Sequence, residues 1–204
     1  MNQSGTKMEV EIKLKVASVQ EGLDRIAQLP AELEEAPLFE DNEVYDTASG
    51  SLAASETLLR LRVVAERGTV TLKEKVPGSS QRAKVRSETE TSVGSPDAIR
   101  AIFAAAGLKR VYRYQKYRSY HAWKDPSTGR QLMISLDNTP IGVFLELEGE
   151  QESIDRAATT MGFTPGDYIL DDYRSLHKAF VAKRGQPFGD MVFEDLAEGG
   201  RQGG

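Results

Sequence analysis

The sequence has no cysteine, only two histidines and no long apolar run. Without cysteine, disulfides, thiolate metal sites and cysteine nucleophiles are excluded. His121 and His177 do not have the spacing of zinc ligands, so a histidine-based metal site is not expected. No segment has the length and apolarity of a transmembrane helix, and the N-terminus shows no hydrophobic signal segment. We therefore expect a cytoplasmic protein that does not interact with a membrane.

Positive charge is not in excess either. The 204 residues carry a formal net charge of -5, so no global basic field would attract nucleic acid, and a bound anion needs a local cluster of cations. The sequence also lacks the Gly-x-x-x-x-Gly-Lys-Ser/Thr motif, so phosphate would contact side chains rather than a backbone loop. A chain of this length suits one domain with a sizeable core.

What the sequence does contain is strict alternation of polar and apolar residues, most clearly in segment 8–16. Its polar positions are Glu9, Glu11, Lys13 and Lys15, and its apolar positions are Met8, Val10, Ile12, Leu14 and Val16. A period of two predicts a strand with one apolar face and one charged face. A charged strand face that simply meets solvent is the ordinary interpretation of such a pattern.

Similar patterns predict a mainly antiparallel α+β fold, because the strands follow one another as hairpins. We predict further strands at 32–47 (interrupted at Pro37 and at Asp41-Asn42), 57–66, 69–76, 82–93, 108–123, 132–137 and 143–150, with a turn at Arg67-Gly68. Helices are predicted after Ser18, after Ser95 (with Ile99, Ile102, Phe103 and Ala106 buried), at 154–161 and at 170–183. From Gly185 we expect a mobile, glycine-rich tail in which Met191-Val192-Phe193 could dock on the body or on a partner.

The charged strand positions are grouped by sign, which solvation alone does not explain. The basic pairs are Arg60/Arg62, Lys73/Lys75 and Lys116/Arg118, and the acidic pairs are Glu9/Glu11, Glu88/Glu90 and Glu146/Glu148. Like charges two residues apart on one face repel, so we expect the strands to close into a barrel with a polar interior. Carboxylates suit Mg²⁺ or Mn²⁺, and guanidinium groups suit phosphate oxygens. The interior would therefore hold a metal-complexed phosphate chain.

These residues resemble the CYTH proteins, or triphosphate tunnel metalloenzymes, which include class IV adenylyl cyclases and thiamine triphosphatases. Glu9-x-Glu11-x-Lys13 matches the family's ExExK signature. It is followed in order by Arg60-Leu-Arg62, Thr71-Leu-Lys73-x-Lys75, Arg86-x-Glu88-x-Glu90, Lys116-x-Arg118, Asp137-x-x-Pro-x-Gly142 and Phe144-Leu-Glu146-Leu-Glu148-Gly149. The ordered set covers the chain from Met8 to about Lys183.

The resemblance implies a closed tunnel of eight strands over residues 1–184, ahead of the tail at 185–204. It implies Mg²⁺ or Mn²⁺ bound by Glu9, Glu11, Glu146 and Glu148, with Asp137, Glu88 and Glu90 as further metal ligands or close neighbours. The implied phosphate contacts are Lys13, Arg60, Arg62, Lys73, Lys75, Arg86, Lys116 and Arg118, and the implied catalytic residues are Glu9, Glu11, Lys13 and Glu148. The expected partner is a small-molecule triphosphate, and the protein is expected to be a monomer or homodimer.

Three functions remain open from the motifs. The first is metal-dependent hydrolysis of inorganic triphosphate, thiamine triphosphate or a similar compound; the second is conversion of ATP to cyclic AMP and pyrophosphate; the third is polyphosphate or nucleotide binding without turnover. One position departs from the family pattern, because the last helix has no lysine before Tyr173. Arg174, Lys178 or Lys183 could replace it. Lys15, Arg82 and Lys84 are expected at the rim or in solvent.

Overall fold

Eight strands close into an antiparallel barrel within residues 6–77 and 82–193, which are the residues that this computed structural model describes. The strands are β1 (Thr6–Val16), β2 (Glu32–Thr47), β3 (Leu58–Val64), β4 (Arg67–Lys75), β5 (Lys84–Val93), β6 (Leu108–Lys124), β7 (Gln131–Thr139) and β8 (Gly142–Glu148). Their order around the barrel is β1-β5-β4-β3-β2-β6-β7-β8. The predicted α+β class with a closed eight-stranded barrel is confirmed.

The same residues contain five α-helices: α1 (Val19–Ile26), α2 (Ser51–Ala54), α3 (Pro96–Ala105), α4 (Gln151–Thr160) and α5 (Tyr173–Lys183). As predicted, the side chain of Ser18 caps α1 and that of Ser95 caps α3. Helix α2 was not predicted, because residues 48–55 are small and polar. It forms where the Asp46 carboxylate accepts hydrogen bonds from the amides of Leu52 (2.9 Å) and Ala53 (3.0 Å). None of the helices in the described residues has the length and apolarity needed to cross a bilayer.

The predicted turn at Arg67-Gly68 was wrong. The β3–β4 hairpin turns at Ala65 and Glu66, whose φ angles are 43° and 70°, and Arg67 already pairs with Val64. Positive φ at both central residues is typical of two-residue hairpins, whose twist it matches. Gly68 is needed for packing, because a Cβ atom there would lie 2.5 Å from Cγ2 of Val93.

Two other local predictions also required correction. Strand β2 runs through Asp41-Asn42 without a break, since both residues pair with β6; its register irregularities lie around Pro37 and near Tyr45. In α3, which is described throughout, no residue is buried, and Ile102 is 58% exposed. The predicted apolar stripe therefore contacts the barrel only partly, through residues such as Phe103, whose ring lies 4.9 Å from that of Tyr45.

The main apolar core lies outside the barrel rather than within it. Ile12 and Leu14 of β1 and Leu145 and Leu147 of β8 are fully buried in one cluster with Ile154 and other residues of α4. Because neighbouring residues of a strand point to opposite faces, this arrangement turns the charged positions of the same strands toward the barrel interior. The polar interior predicted from the sequence follows directly from this packing.

The beginning of the predicted tail is docked on the barrel. Met191 is 1% exposed; its amide donates to the carbonyl of Arg113, and its own carbonyl accepts from the amide of Gln115, each at 2.9 Å. Strand β7 pairs with β6 only from Tyr117 onward, so Met191 satisfies backbone groups of β6 that β7 does not reach. The remainder of the predicted mobile tail, residues 194–204, lies outside the described residues.

Replacing Met191 with alanine is expected to lower the free energy of unfolding by about 2 kcal/mol, because it empties a fully buried site. Urea denaturation followed by circular dichroism would measure the change. Val192→Ala, at the neighbouring half-buried position, is the control and should have a smaller effect. A loss below about 0.5 kcal/mol for Met191→Ala would show that the segment does not stabilise the barrel.

Candidate active site

The barrel encloses a charged cavity of about 680 Å³. Six strands contribute most of the charged side chains that line it, and these are largely the positions selected from the sequence. The predicted site residues that line the cavity are Glu9, Glu11, Lys13, Arg60, Arg62, Lys73, Arg86, Glu88, Glu90, Lys116, Arg118, Glu146 and Glu148. Residues that are far apart in the chain, and grouped by sign within it, thus meet in one space.

The strand register determines which charges meet. Glu11 of β1 lies opposite Glu148 of β8, and Lys13 lies opposite Glu146. On the other side of β1, Glu9 pairs with Arg86 of β5. Directly opposite residues in an antiparallel pair have Cβ atoms about 5 Å apart, so the register places two acids side by side in the first pair and an acid beside a base in the other two. Acids and bases are therefore interspersed in the cavity wall rather than separated into patches.

Three carboxylates converge at one side of the cavity. Glu9, Glu88 and Glu148 each offer an oxygen atom, and these atoms lie within 4.8 Å of one another. Glu9 and Glu88 are buried, and burial together with the nearby Glu11 carboxylate raises the pKa of Glu9. Three carboxylate oxygens at this spacing fit a hard divalent cation such as Mg²⁺ or Mn²⁺, which would relieve their repulsion.

Glu11 and Glu146 are engaged differently. The Lys13 ammonium lies 3.0 Å from Glu11 and 3.4 Å from Glu146, and Arg118 donates to Glu146. Burial alone would raise the pKa of Glu11, but Lys13, Lys84 and Lys73 together overcome it and lower that pKa to about 2. Likewise, Arg118 and Lys13 overcome burial and hold the pKa of Glu146 well below its usual range. Both carboxylates are therefore ionised and paired with cations of the protein.

The arginines of β3 are held by polar side chains of the barrel wall. Arg60 is 5% exposed and donates to the Tyr114 hydroxyl at 3.4 Å and to the Thr71 hydroxyl at 3.2 Å. Arg62 donates to the Tyr120 hydroxyl at 3.2 Å. Arg62 also lies 3.5 Å from the Glu40 carboxylate. The acceptors of Arg60 are neutral and leave its guanidinium charge available for an anion inside the cavity, whereas Arg62 shares its charge with Glu40.

Two predicted site residues are outside the cavity lining formed by the described residues. Asp137 is fully buried and accepts from Lys116 (3.0 Å), Arg118 (2.5 Å) and the Tyr173 hydroxyl (2.5 Å). Asp137 therefore fixes the positions of these three cavity-lining side chains without lining the cavity itself. Lys75, with its side chain 52% exposed, pairs with Glu56 at the outer end of β4.

The first residues of helix α5 line part of the cavity. The Tyr173 ring packs edge-on against Phe144, with ring centroids 5.6 Å apart, and the Lys13 and Lys116 ammonium groups lie 5.4 and 5.2 Å from its centroid. Of the three residues considered as replacements for the missing lysine, Arg174 is the one found among the described cavity-lining residues. Its guanidinium lies over the Tyr112 and Phe188 rings, at 5.9 and 6.0 Å.

The model of the CYTH domain family matches residues 7–161. This chain belongs to the CYTH family. Its fold is shared by a Vibrio parahaemolyticus protein provisionally named an adenylate cyclase (18% identity, TM-score 0.66, 87% of this chain and 99% of that one). PH1819 protein from Pyrococcus horikoshii also has a similar fold (19% identity, TM-score 0.66, 82% of this chain and 97% of that one). A third similar fold is that of Hippeastrum HpAC1 (17% identity, TM-score 0.54, 89% of this chain and 97% of that one). HpAC1 is provisionally named an adenylyl cyclase and is described as having a dominant triphosphatase activity.

At these identities the solved structures show a common fold and not a common reaction. Among curated proteins, none matches this chain. The CYTH assignment therefore rests on the domain match, and the specific activity has to be argued from the cavity.

Several charged residues that line this CYTH cavity or contact its lining were not selected from the sequence. Lys84, expected at the rim, lines the cavity with its ammonium 3.5 Å from Glu11; burial and the nearby Lys13 lower its pKa. Lys7 also lines the cavity and continues the period of Glu9 and Glu11, a signal that could have identified it. Glu40 is 2% exposed and pairs with Lys116 and Arg62; no motif indicated it.

Proposed function

We propose that this CYTH protein is a divalent-metal-dependent triphosphatase that hydrolyses inorganic triphosphate or a small organic triphosphate inside the barrel. The observation that carries the proposal is the meeting of a carboxylate cluster with a row of lysines and arginines in one enclosed cavity. A simple anion binder has little reason to place acids beside its cations, because they weaken the attraction. The triphosphatase activity described for the similarly folded HpAC1 agrees with this choice.

The acids would provide the metal site. Glu9, Glu88 and Glu148 would hold Mg²⁺ or Mn²⁺, and the bound ion would supply Lewis-acid activation of a phosphoryl oxygen and of the attacking water. Glu11 and Glu146 orient the Lys13 and Arg118 side chains through the ion pairs described above. The sequence-based assignment of Glu11 and Glu146 as direct ligands stays a prediction.

The bases would bind the phosphate chain. Arg60, Arg62, Arg118, Lys13, Lys73, Lys84, Arg86 and Lys116 all line the cavity. Guanidinium groups match phosphate oxygens in geometry, and the charge that develops on the leaving phosphate is stabilised by cations already in place. Partial burial of these cations within the barrel reduces the screening of their charge by solvent and strengthens these interactions.

Arg60→Ala is expected to weaken triphosphate binding by about tenfold, because it removes a charge-assisted hydrogen bond from a buried anion site. Isothermal titration with inorganic triphosphate in the presence of Ca²⁺, to limit turnover, would measure the dissociation constant. Arg67→Ala, on the same hairpin but exposed, is the matched control and should bind as the unchanged protein does. Equal affinity of the Arg60 variant would remove this residue from the binding site.

Adenylyl cyclase activity is the second candidate, favoured by the provisional name of the Vibrio parahaemolyticus protein. The same triphosphate contacts would serve it, but the nucleophile would be the ribose 3′-hydroxyl and the leaving group pyrophosphate. Incubation with Mg²⁺ or Mn²⁺ and a panel of inorganic triphosphate, thiamine triphosphate and ATP separates the candidates. Orthophosphate release supports the triphosphatase, and cyclic AMP with pyrophosphate supports the cyclase. If none of the compounds gave a product, the proposal would be overturned, and binding without turnover would be the remaining function.

A further inference from the structure

The Lys7 ammonium lies against the carboxylate cluster from the barrel mouth. It is 3.0 Å from a Glu148 oxygen and 3.6 Å from a Glu88 oxygen. Lys7 stands two residues before Glu9 on the same face of β1 and pairs in register with Glu88. Its side chain thus contacts two of the three carboxylates that converge within 4.8 Å.

A second ammonium group, that of Lys73, also contacts the carboxylate cluster, and its side chain is less exposed than that of Lys7. Lys73 contacts both oxygens of Glu9, at 2.5 and 2.6 Å, and its side chain is only 16% exposed. The Lys7 side chain is 59% exposed. An exposed lysine can leave such a contact for solvent at little cost, because water solvates its charge. Lys73, less exposed and in contact with both oxygens of Glu9, would lose more by leaving its contact.

We propose that Lys7 is an internal competitor for the divalent cation. Its ammonium occupies oxygens of Glu88 and Glu148 that would ligate the metal, and it moves into solvent when the metal enters. Lys7 therefore sets the metal affinity below the value that the three carboxylates alone would give. It also reduces the repulsion among these carboxylates when the metal is absent. This inference rests on the metal site of the proposed function.

If Lys7 competes with the metal, its removal should strengthen Mn²⁺ binding, whereas removal of a lysine that only binds phosphate should weaken triphosphate binding. Lys7→Met is expected to bind Mn²⁺ about three- to tenfold more tightly than the unchanged protein, because one positive charge beside the site is removed. The readout is isothermal titration with Mn²⁺ alone, without any phosphate compound. Lys7→Arg keeps the charge and should bind Mn²⁺ with nearly unchanged affinity.

Lys15→Met is the matched control. It makes the same change on the same strand, eight residues or about 26 Å along β1, at an exposed position. Its Mn²⁺ affinity should equal that of the unchanged protein. If Lys7→Met bound Mn²⁺ equally or more weakly, the competitor role would be overturned.

Two further outcomes are distinguishable. Weaker binding of metal-free inorganic triphosphate by Lys7→Met, with unchanged Mn²⁺ affinity, would make Lys7 a phosphate contact and overturn the inference alone. Absence of Mn²⁺ binding in every variant, including the unchanged protein, would overturn the metal site of the proposed function as well.

Discussion

Replacement of Glu9 by glutamine is expected to lower metal-dependent triphosphate hydrolysis at least about 100-fold. Glu9 is 4% exposed and belongs to the carboxylate cluster. Glutamine has nearly the same shape but carries no charge, so the cluster would lose a third of its negative charge toward a divalent cation. Loss of a few kcal/mol of metal-mediated transition-state stabilisation corresponds to this factor. Phosphate release at saturating Mn²⁺ and triphosphate measures the rate.

Glu74→Gln is the matched control for this variant. Glu74 follows Lys73 on β4 but is exposed, so the same substitution there should leave the rate unchanged. The Glu9 variant should still fold, because Lys73 also lies 3.7 Å from Glu88. Full activity of Glu9→Gln would remove Glu9 from the metal site, whereas a parallel collapse of the melting temperature would assign its effect to folding.

Asp137→Asn is expected to lower the free energy of unfolding by about 3–5 kcal/mol. The carboxylate is fully buried and accepts from Lys116, Arg118 and Tyr173. An asparagine would leave two buried cations with one counter-charge fewer, and its amide would present donors to them. The neighbouring cations show how strongly the site depends on charge: burial would lower the pKa of Arg118, but Asp137 and Glu146 raise it well above its usual value.

Urea denaturation of Asp137→Asn and of Asp171→Asn, an exposed position just before α5, would test this expectation. The Asp171 variant should lie within about 0.5 kcal/mol of the unchanged protein. If Asp137→Asn lost less than about 1 kcal/mol while its Mn²⁺ affinity fell, Asp137 would be a metal ligand rather than an anchor for the cavity cations.

The barrel was predictable because the alternation of polar and apolar residues can be read within each strand and determines which face of the whole sheet is charged. Once Ile12 and Leu14 are directed to a core, Glu11 and Lys13 must point the other way, and sign grouping indicated what they meet there. The position of Asp137 in the sequence does not show that the Tyr173 hydroxyl, 36 residues later, donates a hydrogen bond to it, so this contact was not predicted. Lys84 was misplaced because the mixed face of β5 gives no clear apolar side.

Turns and short helices were harder to predict for a related reason. The β3–β4 hairpin places Ala65 and Glu66 in a left-handed conformation that neither residue favours by itself, so pairing of the flanking strands imposes it. Helix α2 depends on the Asp46 carboxylate, which precedes it by several residues. In both cases the decisive interaction lies outside the segment whose structure was being predicted.

Because the apolar core lies outside the barrel, the residues of a strand that pack against the helices are different from those that line the cavity. Alternate positions of β1 and β8 either join the apolar core beneath α1 and α4 or face the cavity, and no position of these strands does both. A lining residue can therefore be exchanged for one of different length without creating a void beneath α1 or α4, provided that the buried charges beside it stay paired. Such a scaffold can acquire a new substrate preference through mutation while the apolar core that supports its helices stays the same.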